Sequence, residues 1–152
     1  MTEEDAQFTA LCDKAEKAAL RLIGRAEQNS LGLTAKLKKR GFDAAVVKET
    51  VQRLLDRNLL NDERYAELWL RSYLSSGKKT TPLHLRSSLA KRGIDRNSAE
   101  KAIKRTLDPE TEYSLLLRYL GTGKGEINKP KLKKEGFSNE VLLNYSLQAT
   151  DQ

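Results

Sequence analysis

Two segments of the chain carry the same pattern, and this pattern decides the fold. Residues 33–43 read LTAKLKKRGFD and residues 85–95 read LRSSLAKRGID, an offset of 52 positions. A weaker third copy, KLKKEGFS, occupies residues 131–138. Each copy has a leucine four residues before a glycine, and then one large apolar residue followed by Asp or Ser. Self-similarity at a spacing of roughly 40–50 residues is typical of repeat proteins.

The order of residues around each glycine predicts the end of one helix and the start of the next. A helix that ends in a left-handed residue favours glycine there, because glycine has no Cβ to clash. The following apolar residue packs back on the helix, and the next Asp or Ser is typical of an N-cap. The turns are predicted at Gly41, Gly93 and Gly136, the apolar contacts at Phe42, Ile94 and Phe137, and the caps at Asp43, Asp95 and Ser138.

Apolar residues at helical spacing precede and follow each glycine motif, and no segment alternates convincingly with the period of two that is typical of strands. The chain is therefore predicted to be all-α, an elongated array of three tandem three-helix repeats. Start signals at Asp62 and at Asp108-Pro109 set the repeat boundaries. The expected organisation is an N-terminal arm or helix extension over 1–17, repeat 1 over 18–61, repeat 2 over 62–108 and a degenerate repeat 3 over 109–152.

The charge of the chain points to an anionic partner. The 152 residues carry 28 Lys and Arg against 21 Asp and Glu, a formal net charge of +7. The surplus lies in repeats 1 and 2, at +5 each, whereas residues 1–17 carry −3 and repeat 3 carries 0. A basic face on folded structure is typical of proteins that bind nucleic acid, a nucleoprotein or an acidic protein surface.

The composition argues against an enzyme and against a membrane protein. Cys12 and His84 are the only residues of their types, so neither a cysteine-rich zinc site nor a Cys–His nucleophile pair can be built within one chain. The N-terminus is acidic and no apolar stretch approaches the ~18 residues of a membrane span. We expect a cytoplasmic protein without cofactor, metal or catalytic residues.

The sequence resembles a known family of regulators. NLLNDERYA over residues 58–66, followed by Leu85, Leu89 and Arg92-Gly93-Ile94, is similar to the second repeat of the RecX regulators of bacterial RecA recombinase. The resemblance covers about residues 18–147 and is strongest over 58–107. The first repeat matches through Arg25, Leu33, Lys36, Leu37, Gly41 and Phe42, and residues 131–141 resemble the third repeat.

The resemblance implies a fold and a function. It implies a right-handed all-helical array without catalytic activity. Such a protein binds the RecA nucleoprotein filament, lies in its helical groove, and restrains filament growth, strand exchange, ATP turnover and coprotease activity. Some relatives also bind DNA directly. From the resemblance we expect a monomer that regulates RecA by inhibition.

Basic residues are the candidate contacts for RecA or DNA, because cations meet phosphates and acidic faces. Cations near a helix C-terminus also complement the helix dipole, so capping and solvation alone is the alternative for each of them. The candidates are Lys36, Lys38, Lys39, Arg40, Arg71, Lys78, Lys79, Arg86, Lys91 and Arg92.

Two other motifs have plainer explanations. Tyr65, Trp69 and Tyr73 could stack on bases, but their spacing of four residues favours a core stripe. Residues 121–125, GTGKG, superficially resemble a phosphate-binding loop, but no strand precedes them and no Gly-Lys-Ser/Thr is present. A plain loop is predicted there.

A sequence-nonspecific DNA-binding helical module is the alternative function. It predicts affinity for single- or double-stranded DNA in the absence of RecA, falling steeply with salt. The sequence does not discriminate between the two functions, because it shows positive charge but no clear recognition helix.

Overall fold

The computed structural model describes residues 2–121 and 126–150, and within these ranges the chain is entirely helical. The prediction of an all-α protein is confirmed. Nine helices are present in the described part: α1 (Glu3–Arg25), α2 (Ser30–Lys39), α3 (Ala44–Asp56), α4 (Asp62–Ser75), α5 (Pro82–Lys91), α6 (Arg96–Thr106), α7 (Pro109–Leu120), α8 (Lys129–Lys134) and α9 (Asn139–Thr150).

The chain divides into two compact units. Unit 1 is the chain up to Tyr65 together with Arg92–Ile94, and unit 2 is Ala66–Lys91 together with the chain from Asp95 onward. The core of unit 1 lies where α1, α2 and α3 meet, because each helix has an apolar stripe facing the other two. Its buried residues are Ala18, Ala19, Leu33, Leu37, Val47, Val51, Leu54 and Leu60.

The acidic N-terminal segment lies in α1, continuous with the helix that packs in the core. Thr2 and Asp5 form a capping box, in which each side chain accepts a hydrogen bond from the other residue's amide. Further along α1, Cys12 and Ala15 pack with Val46 in a second, smaller buried cluster.

Unit 2 buries one or two leucines from each of its helices except α6, which buries Ile103. Leu70 of α4, Leu85 and Leu89 of α5, and Leu116 of α7 are fully buried. Helix α8 has only six residues and buries Leu132 alone. Its shortness agrees with the weak third copy of the repeat in the sequence.

The glycine turns form as predicted. Gly41, Gly93 and Gly136 have φ of +97°, +83° and +95°. At Gly41 the Phe42 amide donates to the Leu37 carbonyl (3.3 Å) and the Gly41 amide to the Lys38 carbonyl (3.0 Å), the two hydrogen bonds of a Schellman motif.

Two of the three predicted N-cap residues form a side-chain hydrogen bond to the helix that follows, and the third does not. The Asp95 carboxylate accepts from the Ser98 amide (2.9 Å), and the Ser138 hydroxyl accepts from the Val141 amide (3.2 Å). The hydrogen bonds from Ser98 hold the pKa of Asp95 below its usual value. Asp43 occupies the N-cap position of α3 without a side-chain hydrogen bond.

Helix α4 begins at Asp62, as the sequence predicts, but Asp62 is not the residue that caps it. The Asn61 side chain caps α4, accepting from the Arg64 amide at 2.9 Å. The Asp62 carboxylate instead accepts from the Ser30 amide at 2.7 Å, and its second oxygen accepts from the Ser30 hydroxyl. Asp62 therefore provides a hydrogen-bond acceptor for the first amide of α2, that of Ser30, which lies 32 residues earlier in the chain.

Replacing Asp62 with alanine is expected to destabilise the protein by about 1–2 kcal/mol, because the Ser30 amide at the start of α2 loses a charged acceptor. Urea unfolding followed by helical circular dichroism measures this loss. Asp43→Ala is the matched control and should change stability by less than ~0.5 kcal/mol, because Asp43 makes no capping bond. Equal losses in the two variants would contradict a capping role for Asp62.

Candidate functional site

The end of α2 carries a cluster of exposed cations. Lys36, Lys38, Lys39 and Arg40 are all exposed, within the last turn of the helix and its C-cap. Lys36 donates to the Gln28 side-chain oxygen at 2.8 Å. Lys38, Lys39 and Arg40 form no ion pair with any residue that the structure describes. We refer to these last three residues as the α2 basic cluster.

The α2 basic cluster borders a groove between α2 and α3. The groove has a volume of about 330 Å³ and includes Lys38 and Lys48 with Val47 and Val51. An apolar floor beside two ammonium groups suits an acidic or phosphate-bearing ligand that also has an apolar part. Lys48 was missed by the sequence reasoning, because it stands alone on α3 and joins Lys38 only when the two helices pack.

The cations of α5 are partly engaged within the protein. Arg86 pairs with Glu100 through two hydrogen bonds, of 2.6 and 3.3 Å. The Arg92 guanidinium donates to the Tyr65 hydroxyl at 3.2 Å, whereas Lys91 is exposed. Repeat 2 thus presents fewer unengaged cations at this motif than repeat 1 does, although the two sequences match closely.

A second groove lies in unit 2. It has a volume of about 390 Å³, and its lining includes Arg86, Lys101, Lys104 and Ile103. Glu100 and Glu112 also line it, so its charge is mixed. Glu112 accepts from the Ser138 amide at 2.7 Å, which fixes the start of α9 and gives this carboxylate a structural role.

The three remaining candidates lie in and after α4. Arg71 donates to Glu67 at 2.7 Å, one helical turn away, and Arg105 also pairs with Glu67 at 3.6 Å. The hydrogen bond from Arg71 and the nearby charge of Arg105 lower the pKa of Glu67. Lys78 and Lys79 are exposed in the loop that follows the helix.

The aromatic residues of α4 are half-buried rather than central to the core. Trp69 and Tyr73 stack with ring centroids 5.1 Å apart, and the Lys78 ammonium lies 5.9 Å from the Tyr73 ring. The same helix buries Ala66 and Leu70 completely. The helical spacing correctly indicated one shared face, but the small Ala66 and the aliphatic Leu70 fill the interior.

The described ranges contain neither a candidate metal site nor a candidate membrane span. No group of three or more His, Cys, Asp or Glu among these residues could hold a metal ion. Burial raises the pKa of the Cys12 thiol, which disfavours the reactive thiolate. Across residues 2–121 and 126–150, no helix is both long and apolar enough to cross a membrane. Residues 122–125, where the sequence predicts a plain loop, lie outside the described residues.

Comparison with known proteins identifies relatives along most of the chain. Residues 61–103 match the family model for the second three-helix domain of RecX. A regulatory protein RecX from Treponema pallidum (strain Nichols) is 32% identical over 135 residues, covering 89% of this chain and 76% of the relative. One from Mycobacterium sp. (strain KMS) is 34% identical, covering 87% of this chain and 79% of the relative.

Solved structures agree on the fold. The crystal structure of RecX from Lactobacillus salivarius superimposes with a TM-score of 0.69 at 23% identity, covering 95% of this chain and 99% of that one. A crystal structure of a regulatory protein RecX gives 0.70 at 19% identity, covering all of this chain and 79% of the other. Together with the identity to the Treponema and Mycobacterium proteins, this places the chain in the RecX family of regulatory proteins.

Proposed function

We propose that this protein binds the RecA filament assembled on DNA and inhibits its extension, and with it the recombinase, ATPase and coprotease activities. The observation that carries the proposal is the α2 basic cluster, three exposed cations that form no ion pair with the described residues. A RecA filament on DNA offers both phosphates and protein surface to such a cluster. We name RecA as the partner because the chain belongs to the RecX family.

Inhibition by a binding protein requires differential affinity. A ligand shifts an equilibrium only by as much as it prefers one state to the other. We infer that the protein prefers a filament form that cannot add protomers or exchange strands. Several weak contacts along the helical groove would give avidity that exists only on the assembled polymer.

The proposal predicts inhibition of RecA at low occupancy. With RecA on single-stranded DNA, addition of substoichiometric protein should reduce ATP hydrolysis at ratios too low to coat the DNA. Binding to bare DNA at the same salt concentration is the control. If hydrolysis fell only where bare DNA becomes saturated, competition for DNA would explain the loss, and the RecA mechanism would be wrong.

A nonspecific DNA-binding module is the second candidate function. The half-buried pair of Trp69 and Tyr73 beside Lys78 favours it, because aromatic faces next to a cation are typical of single-strand binding surfaces. This function predicts affinity for bare DNA that falls steeply with salt. The ATPase experiment and its bare-DNA control distinguish the two functions.

A further inference from the structure

A leucine from α2 lies against the glycine turn of repeat 2, although this leucine and the glycine are both exposed. Leu31 is the second residue of α2, and it lies in unit 1 together with Gly93. A Cβ on Gly93 would lie 2.4 Å from Leu31 Cδ2 and 2.6 Å from Leu31 Cβ. The absence of a side chain at Gly93 is therefore what lets the turn and the start of α2 approach so closely.

The glycine turn of repeat 3 is also approached closely by the first turn of a helix within unit 2, but by backbone and proline atoms and not by a leucine side chain. A Cβ on Gly136 would lie 2.9 Å from the Leu83 amide nitrogen and 3.1 Å from Pro82 Cβ. The Glu135 carbonyl accepts a hydrogen bond from the Leu83 amide at 2.9 Å, so the turn caps α5. Leu83 is the second residue of α5 and stands 52 positions after Leu31, the offset of the repeat itself.

The glycine turn of repeat 1 has the same geometry but carries no such contact. Gly41 has a φ of +97° and the same Schellman bonds, yet no heavy atom of the described residues lies within 4 Å of its Cβ position. In repeats 2 and 3 the first turn of a helix packs against the glycine turn, and we call this packing position a seat. In repeat 1 no described residue fills the seat. Lys38, Lys39 and Arg40 flank the open seat.

A second copy of the chain is a poor occupant for this seat. Leu31 and Leu83, the two leucines in the docking register, already contact Gly93 and the Gly136 turn. In repeat 3, aligning Gly136 with Gly41 places Glu126 in that register, ahead of the start of α8 at Lys129. The repeats of a second copy therefore offer no free leucine in this register, which favours an occupant from another protein.

From these observations we propose that the Gly41 turn docks the N-terminal turn of a helix on a partner protein, with a leucine at its start and acidic residues beside it. The leucine follows from the turn of repeat 2, where the Leu31 side chain lies against Gly93. The acidic residues follow from the three flanking cations, and carboxylates are common in the first turn of helices. This inference rests on the proposed function, because it takes the RecA protomer in the filament as the partner.

Gly41→Asn tests the proposal. Asparagine tolerates a positive φ, so the turn is kept, while its side chain fills the space reserved for the leucine. We expect about tenfold weaker binding to the RecA–DNA filament, which corresponds to the loss of one buried contact. Affinity for bare DNA should be unchanged, and thermal unfolding should shift no more than it does in Gly77→Asn, because a side chain strains the backbone at either positive φ. Gly77→Asn is the control, because Gly77 also has a positive φ and open space around it.

The outcomes separate this proposal from the function on which it rests. If the wild-type protein does not bind the filament, the proposed function fails. If wild-type and Gly41→Asn proteins bind equally well, the docking proposal alone is wrong. A parallel loss of bare-DNA affinity would show that the turn contacts DNA, which also overturns it.

A second measurement does not depend on the stability of that variant. A photo-crosslinking amino acid in place of the exposed Lys39 should react with RecA in the filament. We expect mass spectrometry to locate the crosslink at the first turn of a leucine-bearing helix. A crosslink to any other part of RecA, or only to DNA, would overturn the proposal.

Discussion

Replacing Lys38, Lys39 and Arg40 together with glutamate is expected to abolish inhibition of RecA and to weaken filament binding by at least about a hundredfold. These three side chains are exposed and form no ion pair with the described residues, so the change removes attraction to an anionic partner and adds repulsion. Like charges brought together at an interface cost several kcal/mol. Glutamate at a helix C-terminus opposes the helix dipole by only about 0.3–1 kcal/mol per residue, so the helical circular dichroism should be preserved.

The matched control places the same charge change on another helix. Lys14, Lys17 and Arg21 are exposed on α1, and replacing all three with glutamate changes the net charge by the same amount. The control should retain inhibition to within a few-fold. If both triple variants lose binding equally, the total charge of the protein matters and the α2 basic cluster has no special role.

Gly93→Ala should destabilise the protein by about 3 kcal/mol or more. Its φ of +83° is unfavourable for any residue with a Cβ, at a cost of roughly 1–2 kcal/mol. The added methyl group would also overlap Leu31, at 2.4 Å from Cδ2, and overpacking of this kind costs about 1–3 kcal/mol. Urea unfolding of the wild-type and variant proteins measures the sum.

Two further glycines separate the backbone cost from the packing cost. Gly41→Ala meets the backbone strain in open space, so its loss should be about 1–2 kcal/mol. Gly24→Ala lies inside α1 with no neighbour within 4 Å among the described residues, and it should raise stability by up to ~1 kcal/mol. Equal losses at positions 93 and 41 would mean that the contact with Leu31 is readily relieved.

Most of the helical pattern could be read from the sequence because its signals are local. A glycine turn, the apolar residue after it and the cap that follows lie within a few positions of one another, as at Gly93, Ile94 and Asp95. The role of Asp62 could not be predicted, because its partner Ser30 is 32 residues away. The close approach of Leu31 to Gly93 could not be predicted either, since it depends on how helices from two repeats pack.

The sequence predicted which residues of the candidate site are positively charged, but not which of them have no ion-pair partner. Lys38, Lys39 and Arg40 remain without ion pairs in the described part of the chain, whereas Arg86 is engaged by Glu100, 14 residues away. The ion pair of Arg71 could have been predicted from the sequence, because Glu67 stands four residues earlier, the spacing at which helical pairs form. Lys48 joins the groove only through the packing of α3 against α2.

The hydrogen bonds between Ser30 and Asp62 also bear on how the chain folds while it is being synthesised. They can form only after residue 62 has left the ribosome, when the segment of repeat 1 is already complete. The compact unit extends further, since it includes Arg92–Ile94. The first unit to emerge must therefore wait for about 30 more residues before its last contacts form. A fragment that ends at Asn61, the predicted end of repeat 1, would lack both Asp62 and the turn at Arg92–Ile94.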